Sequence, residues 1–334
     1  MKLDRSRAVS VAAAAFRAHG ISEADAEQTA EVLVSADARG KHSHGLLRLP
    51  RFVRGIEHGN VDPEGDIEVV SERGGTATLS GGSRLGPVVA STAVGVAMDR
   101  ADEFGVGAVG VHDSNHLGML GYYTDQLQRE GYVGIAVTNT EPAMPPYGGA
   151  EPVLGTNPIA IGLPTDPVFN LDMSTSAIAR GTIFEKREAG ESIPEGVALD
   201  AQGEPTTDPE AALGGTILPF GGSKGSGLAI AVEVLAGGLV GAAMGQDVTG
   251  TYHTENPCTK GDLFLAIDPE ALGASDFPER ASAFLRELTA GPTAAHVDGI
   301  RLPGQHSVER DRSATTVEIE DDLWDEVRSL AGDD

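Results

Sequence analysis

Val106–Gly118 has the sequence VGAVGVHDSNHLG. Its apolar half, Val106 to Val111, predicts a short buried strand. The polar half follows at once and places two histidines, an aspartate and an asparagine at the end of that strand. In α/β proteins, ligands bind just outside the carboxyl ends of strands. The segment therefore predicts an α/β fold with polar side chains positioned for chemistry at a strand end.

A second polar cluster lies nearer the N-terminus, in the sequence RGKHSHGLLRLP of residues 39–50. We predict a helix from Leu46 to about His58, with Ser43 or His44 at its N-cap. An imidazole exchanges a proton near neutral pH, and the guanidinium of Arg48 can grip a carboxylate through two parallel hydrogen bonds. This pattern fits a small hydroxy- or keto-acid, but it is equally compatible with a helix cap followed by two exposed basic side chains.

Helical and strand patterns alternate along the rest of the chain, which is typical of an α/β protein. A turn-rich section is expected up to Gly75, and a polar surface excursion over Glu185–Gly215. Helices are predicted at Arg5–Ala18, Ser22–Arg39, Pro87–Phe104, Met119–Glu130, Gly225–Val240 (apolar and buried), Glu270–Glu287 and Glu320–Ala331, and strands at Thr76–Leu79, Val106–Val111, Val133–Val137, Gly155–Leu163 and Asn170–Met173.

Eight short motifs resemble the malate/L-lactate dehydrogenase superfamily, which does not use a Rossmann fold and includes ureidoglycolate, sulfolactate and 2,3-diketogulonate oxidoreductases and cyclic imino-acid reductases. They occur in the family's order between about residues 5 and 310. The motifs are Ser43-His44-Gly45, Arg48-Leu49-Pro50, Asn115-His116-Leu117-Gly118, Thr138-Asn139, Gly155-Thr156-Asn157-Pro158, Asp172-Met173-Ser174-Thr175, Gly222-Ser223-Lys224-Gly225 and Leu302-Pro303-Gly304.

The resemblance implies an oxidoreductase that moves a hydride between NAD or NADP and a small 2-hydroxy or 2-keto acid of the malate or L-lactate class. His44 and His116 would flank the reacting carbon, one as acid/base and the other polarising the oxygen, in an order left open. Ser43 would orient His44, and Arg48 would hold the carboxylate. The stretches that match the family's cofactor-binding positions are His116-Leu117-Gly118-Met119-Leu120, Ser174-Thr175-Ser176, Lys224-Gly225 and Arg301-Leu302-Pro303-Gly304.

The family fold implied is α/β: a non-Rossmann, mixed-sheet nucleotide-binding domain with a helical second domain built from N- and C-terminal segments. We expect residues 1–75 plus 285–334 to form the helical, substrate-side domain and residues 76–284 the NAD(P)-binding domain. The resemblance also implies a homodimer, with the site near its interface. Phe52, where relatives often carry a tyrosine, and Gln305, where a glutamate is usual, depart from the family pattern.

Two glycine-rich segments imitate nucleotide-binding motifs. Gly105–Gly110 satisfies G-x-G-x-x-G, but it follows a predicted helix and lies within a strand, the reverse of the Rossmann fingerprint. Gly221–Ser226 lacks the four-residue spacer of a Walker motif. It still predicts phosphate binding, because glycine amides and Lys224, one of five lysines, begin a helix.

Two rival functions stay open at this point. His42, His44 and His116 could ligate a metal in a hydrolase, although a fourth, acidic ligand is not evident. A non-catalytic ligand-binding protein would explain the glycine-rich loops but not the paired histidines.

The chain has 334 residues, 50 acidic and 24 basic, with a net charge of −26. Such a charge argues against nucleic acid as a partner. No apolar run reaches the roughly 20 residues of a membrane helix, so no membrane partner is expected. A single cysteine, Cys258, suggests a reducing compartment. The acidic excess extends along the whole chain and favours a cytoplasm of molar salt, where charges are screened within about 3 Å.

Overall fold

The computed structural model describes residues 1–333. Within this range the helices, numbered in chain order, are α1 Arg5–Ala18, α2 Glu23–Ala38, α3 Leu49–Glu57, α4 Gly86–Phe104, α5 Leu120–Arg129, α6 Arg180–Glu188, α7 Pro209–Leu213, α8 Ser223–Ala236, α9 Phe277–Thr289, α10 Gln305–Ser313 and α11 Asp321–Leu330. The strands are β1 Lys2–Asp4, β2 Glu68–Arg73, β3 Thr76–Ser80, β4 Val106–His112, β5 Val133–Thr138, β6 Ile159–Leu163, β7 Phe169–Met173, β8 Ala198–Leu199, β9 Thr216–Ile217, β10 Asp262–Ile267 and β11 Thr316–Glu318.

The central element is a mixed sheet of seven strands in the order β2-β3-β4-β10-β5-β6-β7 among the described residues. Strands β3 and β4 run parallel and are joined by α4, whereas the other neighbouring pairs are antiparallel. Strand β4 is buried because its valines alternate with glycines that admit other backbone: a Cβ on Gly107 would lie 1.9 Å from the carbonyl oxygen of Ala97 in α4. The mixed α/β fold predicted from the sequence is confirmed.

The two ends of the chain meet outside this sheet. Strand β1 pairs antiparallel with β11, and one apolar core joins α1, α2, α3 and α11, with Phe16, Leu33, Leu49 and Trp324 among its buried members. A second core lies under the sheet, between α4, α5 and β4. The buried members of the first core come from the two ends of the chain, apart from Leu85 and Val88, and those of the second from residues 77–266. We therefore propose that residues 1–75 plus 285–334 and residues 76–284 are the two domains.

Three local predictions were wrong. The turn-rich section before Gly75 contains strand β2, whose residues are all exposed and so lack the apolar alternation that marks a half-buried strand. The strand predicted from Gly155 begins only at Ile159. The helix predicted from Leu46 to about His58 is present as α3 but begins only at Leu49, with Arg48 as its N-cap; two 3-10 turns, His42–His44 and Leu46–Arg48, precede it.

Helix α8 is less buried than its composition suggests. The 18-residue stretch Ser223–Val240 has a mean hydropathy of 1.3 and is 44% buried, with Ile230 and Val234 on its exposed side. By length and composition alone it could cross a membrane. Within the fold, however, it packs on β5 and β10 and carries a buried carboxylate, Glu233, that accepts hydrogen bonds from Asn139 and Asn157. These contacts are those of a core helix, and the remaining apolar residues of α8 lie on an exposed face.

Candidate active site

The predicted polar segments converge at one end of the sheet. Val111, next to last in β4, and Thr138, the last residue of β5, both pair with Asp262, the first residue of β10. Met173, the last residue of β7, pairs with Ile159, the first residue of β6. Because the strands are antiparallel here, the loops after β4, β5 and β7 and those before β6 and β10 leave the sheet on the same side. This end of the sheet brings together segments separated by more than 150 residues in the sequence.

The 41–48 segment reaches this end of the sheet from the helices of the N-terminal part of the chain. Ser43 Oγ lies 2.9 Å from Nδ1 of His44, the pairing expected of a serine that orients a histidine. The backbone carbonyl of Ser43 accepts a 2.7 Å hydrogen bond from Nε of Arg48. The prediction that Ser43 or His44 is a helix N-cap was wrong: both lie inside the 3-10 turn His42–His44, whose N-cap is Lys41, and the N-cap of α3 is Arg48.

The 112–118 segment follows the apolar part of β4, as the sequence predicted. Asn115 is buried, and its side-chain amide donates to the carbonyl oxygens of Ser83 at 2.7 Å and Arg84 at 3.0 Å. His116 accepts a 3.0 Å hydrogen bond at Nδ1 from the backbone N–H of Gly118, whose φ of +82° lets the chain fold back on the ring. In the neutral ring the proton must therefore be on Nε2.

The two histidines meet across the gap between these segments. Their ring centroids are 5.7 Å apart, and Phe52 packs edge-on against His116 at 6.4 Å. Burial and the positive charge of Arg48 lower the pKa of His44 to about 3 and that of His116 well below its usual value. Both rings are therefore neutral at physiological pH.

A pocket that is partly open to solvent lies beside His116. Two arginines of one helical face, Arg48 and Arg51, line it together with polar groups such as Asn60 and Thr251. Burial and the neighbouring Arg51 lower the pKa of Arg48 to about 9, so it stays protonated at neutral pH. The guanidinium of Arg51 lies over the ring of Tyr252, 4.4 Å from its centroid, which holds it at the pocket without consuming its hydrogen-bond donors.

Of the remaining predicted segments, residues 117–120 and 174–176 border this end of the sheet, and residues 301–304 lie beside the start of β7. Thr175 and Ser176 pair with residues 219–220 through backbone contacts, which leads directly to Lys224. Pro303 accepts a hydrogen bond from the backbone N–H of Asn170 in β7 at 2.9 Å, which places residues 301–304 beside that strand. Leu117, Met119 and Leu120 are buried at the start of α5, where the N–H of Gly121 binds Asp172.

The start of α8 has the chemistry of a phosphate site. Its N-cap is Gly222, with φ 64° and ψ −120°, and among the described residues no side chain caps its first amides. Lys224 is exposed beside them. Free amides, the positive end of the helix dipole and a lysine fit the pyrophosphate of a dinucleotide.

The metal hypothesis gains no support from the geometry. His42 Nδ1 is 3.0 Å from Oδ1 of Asp37 and is thus turned toward α2. Across residues 1–333, no group of three histidine, cysteine, aspartate or glutamate side chains is arranged to hold a metal ion.

Comparison with known proteins agrees with this arrangement. Residues 3–328 match the family model described as malate/L-lactate dehydrogenase. The chain belongs to the malate/L-lactate dehydrogenase family. L-sulfolactate dehydrogenase of Methanothermobacter thermautotrophicus is 43% identical over 99% of this chain and 96% of its own length. (2R)-3-sulfolactate dehydrogenase (NADP(+)) of Chromohalobacter salexigens is 37% identical over 97% and 96%.

The fold is shared with solved structures of this family. Sulfolactate dehydrogenase from Methanocaldococcus jannaschii superposes with a TM-score of 0.94 at 40% identity, covering 99% of this chain and 97% of that one. The chain is therefore an oxidoreductase of the NAD(P)-dependent kind, which transfers a hydride between the cofactor and a small 2-hydroxy or 2-keto acid. The hydrolase and non-catalytic alternatives are unsupported.

Sequence reasoning missed three groups near the site. Arg51 was detectable, because it follows Arg48 by three residues and a helix places such residues on one face. Tyr252 and Asp37 had no comparable signal, since each reaches the site through a tertiary contact with residues 41–51.

Proposed function

We propose that this protein is an NAD(P)-dependent dehydrogenase of 2-hydroxy acids that carry a second anionic group, the class to which malate and sulfolactate belong. The observation that carries the proposal is the pair Arg48 and Arg51 in one pocket beside His116. L-lactate has a single anionic group, so it would leave one guanidinium without a partner. The matched family members named for sulfolactate support a dianionic substrate.

In the proposed mechanism, Arg48 holds the C1 carboxylate and Arg51 the distal anionic group. The bound cofactor supplies the hydride acceptor. Neutral His116, with its proton on Nε2, donates a hydrogen bond to the oxygen on C2 and cannot take up a second proton without opposing the N–H of Gly118. His44, whose Nδ1 can donate to Ser43, keeps Nε2 free and takes the hydroxyl proton as C2 is oxidised.

The cofactor is proposed to lie along the end of the sheet at which β4, β5 and β7 stop. Lys224, Gly225 and the amides of α8 would bind its pyrophosphate, and Ser174–Ser176 and Arg301–Gly304 would line its path. His116 and residues 117–120 would contact the nicotinamide end, because His116 lines the substrate pocket and residues 117–120 follow it directly. NAD and NADP both fit this donor set.

A substrate panel tests the proposal. Malate, sulfolactate, L-lactate and ureidoglycolate are assayed with NAD and with NADP by nicotinamide absorbance. The dianionic acids should have the highest kcat/KM, and Arg51→Gln should lower that value for them while leaving L-lactate within about twofold. Arg54→Gln, an exposed arginine of the same helix, is the matched control. Equal kcat/KM for lactate and malate in the wild type would reject the two-anion assignment.

We also propose a homodimer, with the exposed face of α8 as its contact. Ile230, Val234, Leu235 and Leu239 are each at least 40% exposed on this face, and such apolar patches on highly charged chains mark association sites. Val234→Asp should give a monomer in light scattering after size exclusion. Leu272→Asp, which charges a 73% exposed leucine elsewhere, should leave the dimer intact; a monomeric wild type would reject the proposal.

The net charge of −26 supports a further proposal, a cytoplasmic location in cells with molar internal salt. High charge of one sign repels itself, and salt relieves that repulsion. The unfolding temperature should rise by several degrees between 0.1 M and 2 M KCl.

A further inference from the structure

Asp37 is a buried carboxylate in an unfavourable place. It lies one residue before the C-terminal end of α2, where the helix dipole disfavours negative charge. Only 2% of its side chain is exposed, and burial raises its pKa. Two costs of this kind persist only where the surrounding contacts compensate for them.

Those contacts are made with the 41–48 segment, on both sides of Ser43 and His44. Oδ2 of Asp37 accepts a 2.8 Å hydrogen bond from the backbone N–H of Leu46. Oδ1 lies 3.0 Å from Nδ1 of His42, and this contact raises the pKa of His42. One side chain thus holds the residues that immediately flank the Ser43–His44 pair.

Gly45 shows how tightly this arrangement is packed. A Cβ at Gly45 would lie 2.1–2.5 Å from the carboxylate atoms of Asp37. The φ of Gly45 is negative, at −89°, so the close approach of the carboxylate is the reason for a glycine that the structure shows. The segment can approach Asp37 only because residue 45 has no side chain.

We propose that Asp37 is a positioning residue that sets His44 at its working distance from His116 by holding the 42–46 turn from within α2. The inference rests on the role proposed above for His44. Asp37 contacts neither His44 nor His116 and is not among the residues that line the pocket, so its effect is confined to the geometry of the turn. A displacement of about 1 Å at a reacting group can cost roughly a hundredfold in rate.

The test compares Asp37→Ala with Asp37→Asn in the full-length enzyme, using the acid and cofactor with the highest wild-type kcat/KM. Asp37→Ala should lower kcat ten- to a hundredfold while the cofactor Kd, from nicotinamide fluorescence, stays within twofold. Asp37→Asn keeps an oxygen for the N–H of Leu46 and should recover at least a third of the wild-type kcat. His42→Ala, which removes one contact, should fall between them.

Asp311→Asn is the control for lost stability. It also removes a buried carboxylate that binds α2, through Ser35 and Arg39, but it does not touch the turn; it should lower Tm and leave kcat within about twofold. If Asp37→Ala does not fold, Gly45→Ala tests the same contact from the other side and should lower kcat tenfold or more.

The outcomes separate this inference from the proposed function. A wild-type kcat in folded Asp37→Ala, or a loss matched by Asp311→Asn at equal Tm, would overturn the positioning role while leaving the function intact. A wild-type enzyme inactive on every acid of the panel would reject the proposed function. Full activity in His44→Ala would overturn the role of His44 and with it that of Asp37.

Discussion

The two histidine-bearing segments are held in different ways. The 41–48 segment is fixed by charged groups: Asp37 holds its turn from α2, and Lys41 binds the carboxylate of Asp172 at 2.8 Å. The 112–118 segment is fixed by neutral groups, the amide of Asn115 and the N–H of Gly118. The site therefore joins an ionically anchored segment of the helical unit to a segment anchored by neutral hydrogen bonds in the sheet unit.

The difference predicts which segment responds to conditions. His42 is more than half exposed, so its contact with Asp37 should change with pH and with salt concentration. Asn115 is buried and has no titratable group. Contacts of exposed charges weaken with salt, and buried amide contacts do so much less. A change in conditions should thus disturb His44 before it disturbs His116.

The largest effect is expected on removing either ring. His44→Ala and His116→Ala should each lower kcat by a hundredfold or more, the usual range for an acid/base group. Because both act on one oxygen, the double variant should be little worse than either single variant. Stopped-flow rates of reduced-nicotinamide formation measure this, and His58→Ala, an exposed histidine at the end of α3, is the control. A double variant that shows the full product of the two losses would mean independent roles.

The acid–base roles can be separated by pH. A pKa lowered from 6.5 to about 3 keeps His44 neutral, so kcat/KM for oxidation should stay flat as pH falls from 8 to well below 6.5 and should decline only as pH approaches about 3. The sign follows because the proposed base works unprotonated and is lost as pH falls through its pKa. In His116→Ala this acid limb should remain; in residual His44→Ala activity it should vanish. The reverse result would exchange the two roles.

How much of this could be foreseen differs between the two segments. For residues 112–118 the strand and the strand-end loop were both predictable, because the apolar run 106–111 has a local signal and the sheet rule places its end at a site. For residues 41–48 the candidate site residues could be proposed from the sequence, but the local structure could not. Capping rules predicted an α-helix from Leu46, while the contact of Asp37 with the N–H of Leu46 stabilises a 3-10 turn instead.

Long-range strand pairing was beyond prediction from the sequence. Strand β1 consists of three residues whose partner β11 lies more than 300 positions away, and β2 lacks apolar alternation.

A smaller effect is expected at Arg48, which belongs to the charged segment. Arg48→Lys keeps the positive charge but loses the planar fork, and its Nε bond to the carbonyl of Ser43 as well. We expect kcat/KM to fall by about thirtyfold, with both kcat and KM affected, because a displaced carboxylate displaces the reacting carbon. Arg54→Lys on the same helix should remain within twofold. Unchanged kinetics on every accepted acid would remove Arg48 from the site.

The smallest effect is expected outside both segments, at Lys224. Its ammonium is exposed, so its loss should weaken the cofactor by only about 1.4 kcal/mol, or tenfold in Kd, less than the full range for a charged hydrogen bond. The amides of α8 would still bind the pyrophosphate, which is why the loss should be partial. Lys224→Met should raise the Kd of the reduced nicotinamide in fluorescence titration and leave the KM of the acid, at saturating cofactor, within twofold. Lys186→Met, which removes an exposed lysine paired with Glu191, is the matched control. If both variants bind the cofactor equally well, the start of α8 is not its phosphate site, and the exposed amides there need another explanation.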